Sequence, residues 1–151
     1  LGNEEEIIFA ATDLLADTKL APELSNEAHY YRAKAYLDAG KTDGAMEDLK
    51  VLAKDTRNVY GAEAKYKVAQ IYFDGGQTDK AEQEVLNYIE VSTPHTYWLA
   101  RSFVLLADVY MKLGRNLDAK QYLLSLKQNY QADDDIAGMI ESRLEKLKTE
   151  N

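Results

Sequence analysis

The chain has 151 residues, 46% of them hydrophobic, which is enough for one domain with a sizeable core and excludes a wholly disordered polymer. A formal net charge of −8 argues against a surface built for DNA, RNA or anionic lipid, all of which call for clustered Lys and Arg. With no cysteine there is no disulfide, thiolate nucleophile or Cys-based zinc site, and no apolar run approaches the ~20 residues of a membrane helix.

From Glu4 to Asp17, Ile7, Ile8, Ala11, Leu14 and Leu15 recur at helical spacing behind glutamates that suit a helix N-terminus. Pro22 is expected to end that stretch, and Ser25 to cap a helix that runs to Ala39 and stops at Gly40. Thr42 is expected to cap its partner, whose Ala45, Leu49 and Leu52 form a stripe at i, i+4 and i+7. The unit then recurs. A helix spans Tyr60 to Asp74, Gly75-Gly76 make the turn, Thr78 caps, and Ala81, Val85, Tyr88 and Ile89 form the second stripe before Pro94. A third helix pair runs from Thr96 to Leu113, stops at Gly114, and continues with Ala119, Leu123 and Leu126. The last helix, Asp134 to Leu147, sets Ile136, Ile140, Leu144 and Leu147 on one face, expected to cover the last helix pair with its charged residues outward.

A motif underlies this recurrence: Ala33, Tyr36, Gly40, Ala45; then Ala69, Tyr72, Gly76, Ala81; then Ala107, Tyr110, Gly114, Ala119. The tyrosines are 36 and 38 residues apart, and a fixed period in this range signals stacked helical units that bury their apolar faces on one another. Alanine lets two helices cross closely, glycine ends the first of them, and tyrosine packs between. On these residues the chain resembles the tetratricopeptide-repeat family. A boundary proline survives only as Pro94, and no unit has the family's early tryptophan, Trp98 lying upstream of that slot. The long spacing is similar to that of repeats in bacterial envelope proteins, which favours a periplasmic or cell-envelope location over the cytoplasm without fixing it. The resemblance implies an all-α array forming a right-handed superhelix with a terminal capping helix. Residues 1–151 then form a single domain: 1–22 the second helix of a truncated preceding unit, 23–57, 58–94 and 95–131 three repeats, and 132–151 the cap. The start at Leu1 rather than Met fits an excised C-terminal part of a longer array.

Catalytic chemistry finds little support. Gly40-Lys41-Thr42 matches the end of a phosphate-binding loop, yet the glycine required five residues earlier is Ala35, inside a helix, with no strand before it. His29 and His95 have no companion at metal-ligand spacing, and no serine sits in a nucleophile elbow. Glu47 and Asp48 are adjacent on a helix and read as a solvated face; with Glu82 and Glu84 they mark acidic outer helices, the next surface to consider should the inner face not be the site. Trp98, beside Tyr97, reads as a packed anchor. No enzyme activity, cofactor or metal is expected.

The resemblance places partners on an inner, concave face lined by the first helix of each unit. Residues three before and four after the first alanine point there: Tyr30 and Leu37, Tyr66 and Phe73, Val104 and Met111. Between them lie Glu27, Lys34, Glu63, Gln70, Arg101 and Asp108. Aromatic and mixed-charge residues together suit protein binding. The expected function is a non-enzymatic interaction module for a protein or peptide, without nucleic-acid partners or membrane insertion, and the net charge favours basic or neutral contact segments. A structural scaffold or spacer with no partner of its own is the alternative.

Overall fold

The computed structural model describes residues 2–91 and 93–149; positions 1, 92, 150 and 151, within the expected segments, lie outside the described residues. Among the described residues there are eight α-helices and no strand: α1 (Gly2–Leu15), α2 (Pro22–Asp38), α3 (Thr42–Leu52), α4 (Val59–Asp74), α5 (Thr78–Glu90), α6 (Thr96–Lys112), α7 (Asn116–Asn129) and α8 (Ile136–Thr149). They fall into two compact units, Leu1–Val68 and Ala69–Asn151, with the border inside α4.

The three helix hairpins are closed by the same turn. Gly40, Gly76 and Gly114 have φ of 75°, 81° and 77°, the left-handed region open to glycine at little cost. The glycine N–H bonds back to the carbonyl of Leu37, Phe73 or Met111 at 3.1 Å, and the next residue's N–H reaches the carbonyl of Tyr36, Tyr72 or Tyr110 at 2.8 Å. This pair of bonds is the Schellman motif, which satisfies carbonyls left open at a helix end. The residue after the glycine then opens the next helix: the carbonyls of Lys41, Gln77 and Arg115 accept from the N–H of Ala45, Ala81 and Ala119. One residue thus closes one helix and begins another. For that reason Lys41 and Gln77 hold the N-cap positions expected for Thr42 and Thr78, which become first helical residues, and no side chain caps either helix. Ser25 is likewise not a cap. α2 starts at Pro22, whose missing N–H costs nothing at a first helical position, so Pro22 opens a helix where it was expected to end one.

In the first unit α2 packs on both α1 and α3. Ala28, Ala33 and Ala35 of α2 and Ala45, Leu49 and Leu52 of α3 are buried, as small residues at a close crossing require. α1 buries only Ala11, leaving Ile7, Phe9 and Leu14 exposed. The start of α4 meets the end of α3 at Gly61, where an added Cβ would lie 1.9 Å from the Asp55 carbonyl oxygen and 2.6 Å from that of Leu52. In the second unit α6 packs on α5, α7 and α8, and α8 also lies against α7. Ile136, Ile140 and Leu147 are buried at the latter contacts, and the Asp134 carboxylate accepts from the Ile136 N–H at 2.9 Å to begin α8.

Asp48 corrects the sequence reading: it is 1% exposed, while Glu47 beside it is solvated. Its Oδ2 accepts from Arg32 Nε at 2.9 Å, its Oδ1 from Arg32 Nη2 at 2.7 Å, and His29 Nδ1 lies 2.7 Å from Oδ1. Arg32 Nη1 also donates to Thr12 Oγ1 at 3.0 Å, so the cluster joins α1, α2 and α3. The third repeat fills the same register with Phe103, Leu106 and Tyr122, the two rings 6.2 Å apart between centroids. One seam is closed by ions in one repeat and by apolar side chains in another.

Candidate functional site

The expected contact residues separate into two groups, one in each unit. In the first unit the Tyr30 hydroxyl donates to both Glu63 carboxylate oxygens at 3.1 Å, and Lys67 Nζ holds Glu63 Oε2 at 2.6 Å. The Tyr30 ring meets Tyr60 at 4.5 Å and the edge of Tyr31 at 5.3 Å. Burial, reinforced by the Glu63 charge, pushes the Tyr30 hydroxyl up to about 12. The polar atoms of Tyr30 and Glu63 thus serve each other. Glu27 and Lys34 are exposed and Leu37 is half-buried at the end of α2.

Tyr66 and Val104 are 6% and 3% exposed, so these two do not stand on an open surface as expected. Both lie three residues before an alanine that is itself buried, hence only about 60° from it around the helix. Phe73 and Met111 lie four residues after such an alanine and one residue before the helix end, and they stay half-buried. The chain that would cover them has already turned away at Gly76 and Gly114.

In the second unit Phe73, Asp108 and Met111 line one open depression of about 460 Å³, together with Lys112, Ser142, Arg143 and Lys146. Its walls are α6 and α8. Arg143 Nε donates to Asp108 Oδ1 at 2.8 Å and Nη2 to Oδ2 at 3.0 Å, a bidentate pair that fixes both side chains and the spacing of the two helices. A second strap lies at the other end of the contact: Arg101 Nη1 donates to the Tyr97 hydroxyl at 3.0 Å, which donates to Asp135 Oδ1 at 2.8 Å. Arg101 is therefore a bracing residue away from the depression. Gln70 donates to Asp74 along α4 at 2.8 Å. Trp98 is half-buried, with the Arg101 guanidinium 5.9 Å from its ring centre.

The α8 contribution was missed because its polar residues were read as pointing outward. Arg143 instead turns inward to Asp108. The available signal was Ser142, Arg143 and Lys146, spaced i, i+1 and i+4 on one side of the buried Ile140 and Leu147. Among the described residues no group of three or more His, Cys, Asp or Glu side chains could hold a metal ion, and no described helix is long and apolar enough to cross a membrane. The depression is lined by two large apolar side chains, Phe73 and Met111, among charged ones, which suits noncovalent recognition of a chain segment.

Comparison with known families agrees with the turn and alanine geometry. Two tetratricopeptide-repeat models match, one over residues 27–55 and the other over residues 100–129. Both stretches are tetratricopeptide repeats. No curated protein and no solved structure matches it.

Proposed function

We propose that this chain is a non-enzymatic protein-interaction module and that its contact surface centres on the depression of Phe73, Asp108 and Met111. Tetratricopeptide repeats generally serve as protein-interaction surfaces. One observation carries the choice of place. Three of the expected contact residues share an open depression with fixed walls, whereas Tyr30 and Glu63 of the first unit are bonded to each other. Preorganised walls reduce the ordering cost of association, and anchors near the centre of a contact dominate its affinity.

The test uses a photocrosslinking amino acid at Met111 and, in a second protein, at Leu86, which is exposed on α5. The Met111 probe should yield a discrete partner that disappears when Phe73→Ser is added, while circular dichroism stays unchanged. Equal crosslinking from Leu86, or indifference to Phe73→Ser, would reject this surface. No specific crosslink from either position would favour the spacer role.

A further inference from the structure

The charge at the depression opposes that of the chain. Net charge is −8 overall, yet the lining holds Lys112, Arg143 and Lys146 against the single carboxylate of Asp108. Arg143 satisfies Asp108 bidentately, and Asp108 is the one carboxylate among the described residues of the lining. Lys112 and Lys146 have no carboxylate partner within ion-pair distance among the described residues. Both are solvent-exposed, at the ends of the two walls. Phe73 and Met111 supply the apolar part of the same lining. Two ammonium groups lining one depression with an aromatic ring and a thioether form a mixed recognition surface.

We propose, building on the interaction surface above, that the depression takes a peptide segment carrying an apolar side chain flanked by carboxylates. The apolar side chain meets Phe73 and Met111, and the carboxylates pair with Lys112 and Lys146. This reverses the preference for basic or neutral partners that net charge alone suggests, because ion pairing falls off within a Debye length of about 10 Å and the nearest charges decide. A peptide suits the site better than a polyanion. An extended nucleic acid would reach beyond the two lysines and meet a chain whose net charge is −8. The local excess of positive charge should also hasten encounter with an acidic segment.

Three hexapeptides capped at both ends test this by isotope-edited NMR titration of the whole chain. In the first, Leu-Phe is flanked on each side by two glutamates; in the second, by two lysines; in the third, Gly-Ser replaces Leu-Phe between the glutamates. The first should shift the amides of Phe73, Met111, Lys112 and Ser142 to Lys146 and bind most tightly, with its affinity falling as salt rises. The exposed double variant Lys112→Gln/Lys146→Gln should keep its helicity and bind the first peptide about tenfold more weakly, the size expected for two solvent-exposed ion pairs. Equal or tighter binding of the lysine peptide at the same amides would overturn the charge assignment and leave the contact surface standing. Shifts of the same size from the third peptide, or from inorganic phosphate alone, would overturn the apolar part and leave a plain anion site. Failure of all three peptides to shift these amides would overturn the contact surface as well.

Discussion

Replacing Gly61 by alanine sets two physical effects against each other, and the structure decides the winner. In an ordinary helix position alanine is more favourable than glycine by about 1 kcal/mol. At Gly61 the new Cβ would stand 1.9 Å from the Asp55 carbonyl oxygen, about 1.5 Å inside ordinary contact, and 2.6 Å from that of Leu52. Neither oxygen can swing aside, since both belong to the main chain and already accept hydrogen bonds from the N–H groups of Asn58 and Asp55. The start of α4 must move away from α3 instead, and overpacking of this kind costs about 1–3 kcal/mol, with a backbone clash at the upper end. A net loss of about 2 kcal/mol should lower the urea midpoint, followed by far-ultraviolet circular dichroism, by about 1 M. Gly138→Ala is the control: it lies inside α8, a Cβ there meets nothing within 4 Å, and the midpoint should rise. A Gly61→Ala midpoint equal to or above that of the parent would refute the close approach of α3 and α4.

Asp48→Ala should lose about 3 kcal/mol in the same assay, because it strands Arg32 and His29 without their carboxylate. The triple exchange His29→Phe, Arg32→Leu, Asp48→Tyr, which copies the third repeat, should recover most of that loss; a triple variant no better than Asp48→Ala would show that the seams are not equivalent. Raising the pH tests the hydroxyls of Tyr30, Tyr110 and Tyr130, each pushed up to about 12 by burial and by a neighbouring carboxylate. These groups hold their protons in the folded chain after an unfolded chain has released them near 10, so the stability they contribute is complete below pH 10 and is lost between about 10 and 12. Tyrosinate absorbance should show a late-titrating class that shrinks in Tyr30→Phe, and a single transition of all tyrosines near pH 10 would contradict this.

The helix pairs and their turns were legible because they depend on spacing, and the alanine, tyrosine and glycine positions repeat without exception. Asp48 was not legible because only apolar residues were counted in the stripe of α3. It sits three residues after Ala45 and four before Leu52, inside the buried arc, and its charge concealed a position that the helical phase already gave away. The candidate site was half legible. Phase alone brought Phe73, Asp108 and Met111 forward, but it could not separate Tyr66 and Val104 from them, since that difference depends on distance from the helix end. Gly61 carries a legible signal of its own: glycine in the first turn of an otherwise strong helix usually marks a packing constraint.

The repeated glycine turn has a consequence for how recognition could change. Leu37, Phe73 and Met111 each give their main-chain carbonyl to the turn that follows. A main-chain bond does not depend on which side chain its residue carries. The three positions can therefore exchange one side chain for another while the main-chain bonds of the turn stay in place, and on the contact surface proposed above partner choice and the path of the chain are then separately inherited. On that reading a new specificity arises at these positions by single substitutions that leave the main-chain bonds of the turn intact.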